Sequence, residues 1–561
     1  MLLGMGEKTD VESTPNGRIA IVANKTGVAE DPRRLVDLNY EYERGSGRVI
    51  VDPAEAEIEL GKSLASQLKL DKTGKVVLWP QPSADPNDPQ NWSDSRKLKN
   101  LVISTMAAFI PDFNSGIGVA CLFPLAREYR TTPGEINNVS SNWSIFLLGP
   151  GGLIAVMLAK RYGRLPVLFW SQFFGLAFLI GCTFAPNLKT FAAMRCLNAF
   201  FATAPQTTGL LAVTDMYPFH LQARMLNFWS AGFLVSPYMS PWLFGYLVEK
   251  INYRWAYAIG CFYGIFVVVL IALFAEETIY DRYLTSQADT PGGTSSTPRL
   301  KTLVGISGYK AADLRCSWRQ AIMPTFQLLT KPHCLALLVY MGIIFGFAIG
   351  INVTNVVFTS SPPPLGYGLS QVVVASLYAT PVVAVFMGEV AGRYLNDKTV
   401  SFLTARNHGV FEPEMRLWTL YLGIPPIVVG FVVLGGAFQY KWNLVAVVFG
   451  WGMAEVGIMI TTVATLNYLN NSFFFPGEIS ALMSQARVLG GFAVPYFQID
   501  WAAKQGALQS FGCEAAIQAG LFLLIVPLVQ IKGEKLRSRY YLKPEVPNYS
   551  KDLSEKNQDC L

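Results

Sequence analysis

Four ionisable side chains stand inside long apolar runs: Asp112, Arg195, Glu455 and Arg487. At the centre of a bilayer each would cost about 2.5–3.5 kcal/mol unless paired or wetted. Two acids and two bases at similar depth suggest two pairs, Asp112 with Arg195 and Glu455 with Arg487. Burial raises a carboxylate's pKa and a neighbouring guanidinium lowers it, so making and breaking such a pair can move a proton. The alternative is a permanent ion pair that only fixes helix packing. Function carries more weight, because charges at membrane depth mark solute or proton pathways by default. Gln206, Asn352, Asn355 and Trp451 are further hydrogen-bonding candidates within apolar runs. Glu389, towards the end of another run, carries little functional weight by itself.

Other chemistries find no support. Asp71-Lys72-Thr73-Gly74-Lys75 resembles the phosphorylated-aspartate motif of ion-pumping ATPases, but it sits in a polar tail and ends in Lys rather than Thr. No Gly-rich phosphate loop occurs. The three histidines, His220, His333 and His408, fall in loops or at a run's end, and none of the eight cysteines forms a CxxC pair. No metal, no cofactor, no nucleic-acid partner and no enzymatic activity are expected.

The elements that must position these residues are membrane helices. Of 561 residues 51% are hydrophobic and 15% charged, where soluble chains carry about 25% charge. Runs near the ~20 residues a helix needs to cross a bilayer lie at about 100–123, 139–159, 166–185, 190–213, 227–248 and 255–275. Six more follow at about 333–357, 369–391, 416–438, 442–467, 477–498 and 507–531. The expected organisation is a disordered tail (1–98), a six-helix bundle (99–276), a disordered loop (277–331), a second bundle (332–531) and a tail (532–561). Lys and Arg favour one set of loops, including Lys160, Arg161, Arg164, Arg393 and Lys535, which puts both termini in the cytoplasm. No cleavable leader is expected. Asn138 and Asn142 each begin a glycosylation tripeptide near the outer face.

Four stretches carry a resemblance. Asp85-Pro86-Asn87-Asp88-Pro89-Gln90-Asn91-Trp92-Ser93 resembles a leader before the first helix of fungal antiporters. Lys160-Arg161-Tyr162-Gly163-Arg164-Leu165-Pro166 is similar to a loop motif between helices two and three. Arg195 takes the place of a buried arginine in helix four, and Arg406–Leu417 is similar to a loop of histidinol and cation transporters. Together they resemble the major facilitator superfamily, in its fungal drug:proton antiporter branch. Two departures stand out. Lys160 replaces the loop motif's usual aspartate, and Ser236-Pro237-Tyr238-Met239-Ser240-Pro241 replaces the Gly-Pro-x-x-Gly of the fifth-helix antiporter motif.

The resemblance implies an all-α fold of twelve transmembrane helices in two pseudo-symmetric six-helix halves, with helices one, four, seven and ten lining a central cavity. Asp112, Arg195 and Glu455 would then face substrate. Arg161, Gly163, Arg164, Asp215 and Arg224 would form a gate, with Arg164 and Arg224 competing for Asp215; the alternative, of equal weight, is that these are loop charges solvated at the membrane face. Ser236, Pro237, Ser240 and Pro241 would give a bent, closely packed fifth helix. The implied function is secondary active transport: proton-coupled export of an amphipathic drug or secondary metabolite by a monomer in the plasma membrane. The alternative is uptake of a cationic amine such as a polyamine or histidinol.

Overall fold

The computed structural model describes residues 49–540, apart from 281–298 and Gly61, Gln67, Ala84, Pro364, Leu365, His408, Gly409 and Phe474. The chain is a multi-pass membrane protein whose described residues are almost entirely helical, with twelve long helices arranged six and six. The first half holds α1 (Asp94–Ala120), α2 (Pro133–Tyr162), α3 (Arg164–Thr183), α4 (Leu188–Ala202 and Ala204–Met216), α5 (Phe219–Lys250) and α6 (Arg254–Phe274). The second holds α7 (Pro332–Ser360), α8 (Gln371–Arg406), α9 (Leu420–Tyr440), α10 (Leu444–Ser472), α11 (Pro476–Gln505) and α12 (Ala507–Arg539). Eight of them are long and apolar enough to cross a membrane unaided, or nine counting the bent first helix with its continuation.

Prolines shape several of these helices by removing a donor. Past Cys121 the chain continues as Leu122–Glu128 at 64° to α1. Pro124 there cannot donate to the Ala120 carbonyl, which instead accepts from Gln371 Nε2 of α8 at 3.3 Å. The fourth helix, expected to be continuous, is broken at Thr203 ahead of Pro205. Thr132 caps α2 by accepting from the Glu135 amide at 3.2 Å, with Pro133 at the first helical position.

The face bearing the ends near Val49 and Arg539 is called here the terminal face. Residues 49–98, expected to be structureless, are folded against it. Strand β1 (Val49–Ile50) pairs antiparallel with β2 (Val410–Phe411), in the loop after α8. Ala56, Leu68, Val77 and Trp79 form a small core with Phe411 and Met415 of the second half. Phe219, which opens α5 of the first half, donates its amide to Trp79 O at 2.8 Å. This segment therefore straps the two halves together. Its cohesion comes from residues hundreds of positions away, a signal absent from local composition. The ATPase-like stretch is its turn: Asp71 Oδ1 accepts from the amides of Lys75 at 3.0 Å and Val76 at 3.2 Å. Gly74 supplies the positive φ of 68°.

The central loop also departs from expectation. Helices Arg299–Val304, Ile306–Arg315 and Trp318–Leu329 pack along α2 and α3. The last begins with a complete capping box of Ser317 and Gln320. The remaining parts expected to be disordered, 1–48, 281–298 and 541–561, lie outside the described residues.

Trp79 is 5% exposed at the strap's core. Trp79→Ala should cost about 3 kcal/mol locally and raise amide exchange at 68–79 and 410–411 roughly 100-fold. Unchanged exchange in both stretches would mean that the strap is not held by this core.

Candidate functional site

Between the halves, near the middle of their helices, lies a small cavity of about 50 Å³. Asp112 of α1 and Arg487 of α11 line it and form an ion pair across the two halves at 3.1 Å, each side chain about nine-tenths buried. Gln206 of α4 completes a triangle. Its Nε2 donates to Asp112 Oδ2 at 2.9 Å, and its Oε1 accepts from Arg487 NH2 at 3.1 Å. The Arg487 guanidinium also lies over the Phe233 ring of α5, 5.3 Å from its centroid. The sequence-based pairing of Asp112 with Arg195 and of Glu455 with Arg487 is thus wrong. Depth along helices was legible, but not which faces meet across the interface.

Glu455 and Arg195 sit one layer behind the cavity wall rather than in it. Tyr238 Oη of α5 donates to Glu455 Oε1 of α10 at 2.5 Å, a second polar contact between the halves. The Trp451 ring meets Tyr238 and Tyr378 edge-on. Arg195 is fully buried, and its hydrogen bonds go to neutral oxygens: Asn198 Oδ1 at 2.6 Å, Ser115 Oγ at 2.9 Å and Ser140 O at 3.3 Å. The last carbonyl is presented by the π-helical stretch Asn138–Asn142 at the start of α2. Arg195 therefore ties α1, α2 and α4 together within one half. Asn352 lines the cavity, and Asn355 is buried nearby on α7.

The halves also touch at both ends. On the terminal face Lys160 of α2 pairs with Glu478, in the first turn of α11. Arg164 pairs with Asp215, while Arg224 is exposed and outside that pair. Gly163 turns the chain at φ 110°, and a Cβ there would come within 2.6 Å of the Glu277 carboxylate. That turn aims the amides of Arg164 and Leu165 at Glu277, each at 3.1 Å. Arg161 donates to Cys316 O at 2.5 Å and lies over the Trp318 ring, anchoring the central loop. At the opposite face Tyr496 donates to Asn138, and the Tyr246 and Ser376 hydroxyls meet at 2.7 Å. Contacts between the halves thus lie on both sides of the cavity.

The fifth-helix motif is a packing device. Pro237 cannot donate to Phe233 O, and Ser236 Oγ does so instead at 2.8 Å. Gly116 of α1 approaches so closely that a Cβ would lie 2.7 Å from Ser240 Cβ and 2.9 Å from Pro241 Cδ. The glycosylation candidates are not in loops. Asn142 is 3% exposed inside α2, and Asn138 is half-buried and held by Tyr496.

A family model described as "Major Facilitator Superfamily" matches residues 101–495. The chain belongs to the major facilitator superfamily. MFS transporter fsa7 of a Fusarium species is 24% identical over 82% of this chain and 89% of its own. Efflux pump radE of Floropilus chiversii is 22% identical over 88% of each. The MFS proton:xylose symporter XylE, solved with a bromo-deoxyglucose, shares the fold at a TM-score of 0.54, with 12% identity over 78% of this chain and 97% of its own. Superfamily members are transporters of small molecules rather than enzymes, which is the class this chain falls in.

Within this major facilitator chain, sequence reasoning missed Tyr238 and Glu478 as partners across the halves. The Glu478 signal was present: Lys160 stands where an acid is usual, and a compensating acid opens α11. Either Asp112→Arg or Arg487→Asp alone should leave an unpaired buried charge and cost about 3–5 kcal/mol. The reciprocal double exchange should recover much of the lost thermal stability in detergent. A double variant no better than the worse single one would show that the pair is not a stabilising unit.

Proposed function

We propose that this transporter exports a small amphipathic molecule, a drug or secondary metabolite, in exchange for protons, as a monomer in the plasma membrane with its terminal face in the cytoplasm. The carrying observation is that ionisable groups join the halves near the middle of their helices beside a cavity, through Asp112–Arg487 and Tyr238–Glu455. Any rocking of one half against the other must break or re-form these contacts and change the wetting of both acids. Glu455 is the better proton carrier, since its partner across the halves is a phenol, whereas Asp112 is paired with the Arg487 guanidinium and accepts a hydrogen bond from Gln206. The excess of Lys and Arg on the terminal face supports the orientation. A relative named as an efflux pump supports the direction. One inward proton, driven by ~100 mV and ~1 pH unit, supplies roughly 3.7 kcal/mol, enough for a few-hundred-fold gradient of a neutral solute.

Uptake of a cationic amine retains one supporting feature: the Glu455 carboxyl is met by a phenol rather than a base. Purified protein in proteoliposomes, offered fluorescent amphipathic dyes, labelled spermidine and histidinol, separates the two readings by which probe moves and in which direction. In the same assay Glu455→Gln should reduce pH-gradient-driven accumulation to the level of empty vesicles while sparing solute exchange. Undiminished accumulation would remove Glu455 from the coupling step.

A further inference from the structure

A third carboxyl lies between the halves. Glu389, in α8, is 6% exposed and faces Ser230 of α5. Ser230 lies eight residues before Tyr238 on the same helix, so this contact sits about 12 Å nearer the terminal face than Tyr238–Glu455. Two carboxyls of the second half, Glu455 and Glu389, are thus each met by a hydroxyl from one helix of the first.

The hydrogen count at Ser230 is informative. Its Oγ lies 3.1 Å from Asn227 O and 3.3 Å from Glu389 Oε1. A serine hydroxyl owns one hydrogen. The hydroxyl can therefore donate to Asn227 O or to Glu389 Oε1, but to only one at a time. When it turns to Asn227 O, the contact to Glu389 is kept as a hydrogen bond by a protonated carboxyl donating to Ser230 Oγ. The other oxygen, Oε2, has no hydrogen-bond partner among the described residues. An ionised carboxylate left this way inside a dry interface would be strongly disfavoured, and a neutral acid is not.

Charged groups on the surrounding elements do not relieve it. On α10, Glu455 is occupied by Tyr238. On α5, His220 and Arg224 lie in the first turns, and Glu249 and Lys250 at the far end. In the short helix Pro413–Thr419, Glu414 is paired with Arg537, and Arg416 lies over the Phe411 ring. On α8 itself Arg393 is exposed and Asp397 is two turns on. A fourth buried acid, Glu514, differs in kind. Gln498 Nε2 reaches both its oxygens from within the same half, so motion between the halves does not alter it.

We propose that Glu389 is a second proton-binding site, loaded while α5 and α8 are in contact and emptied when they part towards the terminal face. On parting, water reaches the carboxyl, its O–H bond breaks, the proton passes to water and a carboxylate remains. Return of the contact requires re-protonation. The inference extends the proton-coupled reading above, but its test does not depend on it.

The test is an infrared pH titration of the full-length protein in nanodiscs, following the carboxylic-acid C=O stretch, which only a protonated carboxyl shows. The wild type should show a band that Glu389→Gln removes and Glu455→Gln and Glu514→Gln retain. Glu389→Asp should restore a band. Ser230→Ala should shift its frequency without removing it, because the acid loses its acceptor; this variant serves should Glu389→Gln fail to fold. A folded Glu389→Gln protein with the wild-type spectrum at every pH, or an unshifted band in Ser230→Ala, would overturn the proposal. Loss of coupled transport in Glu455→Gln is a separate readout, so the two readings fail independently.

Discussion

An ion pair that crosses from one six-helix half to the other, about nine-tenths buried, constrains everything around it. Asp112 and Arg487 can occupy the interface only because each answers the other and Gln206 answers both. Removing one member leaves a charge that the apolar surroundings cannot accommodate. The helices carrying the three residues, α1, α11 and α4, are therefore held in register at mid-depth, and the cavity takes its polar wall from the same residues. Cohesion and the polar wall of the cavity share one set of atoms here. A contact between the halves at this level is stabilising while closed, and it is also what a moving half would have to release.

Some of the tightest contacts lie within a half: Arg195 is satisfied by neutral oxygens, Gly116 seats α1 on the prolines of α5, and Gly346 of α7 meets Gly490 of α11 backbone to backbone. Several contacts between the halves involve groups that can change charge or partner, such as Asp112, Glu455, Glu389 and the Lys160–Glu478 pair. Rigid units with negotiable seams are what the physics of a rocking transporter calls for.

The architecture was legible because it rests on the longest-range sequence signal there is, apolar runs of membrane length. The apolar runs and the charges inside them emerge from the sequence, although only eight or nine of the twelve helices are apolar enough to be counted on composition alone. Partnerships did not. Which face Asp112 turns to depends on how α1 packs on α5 and α11, and no spacing along one helix encodes that. Lys160 was noticed as an oddity, yet its meaning needed Glu478, more than three hundred residues away. The segment before α1 was misread for the same reason. Its residues look like a solvated tail until Phe411, Met415 and Phe219 are set beside Trp79.

That segment has a mechanical consequence. A strand held by one half and a tryptophan backbone held by the other form a tether across the seam, so the terminal face cannot gape without peeling it. The peeling work would be stored during opening and returned on closure, in the manner of a door closer. Such an element would bias the resting protein toward a sealed terminal face. It also makes the timing of each turnover sensitive to residues that never touch the cargo.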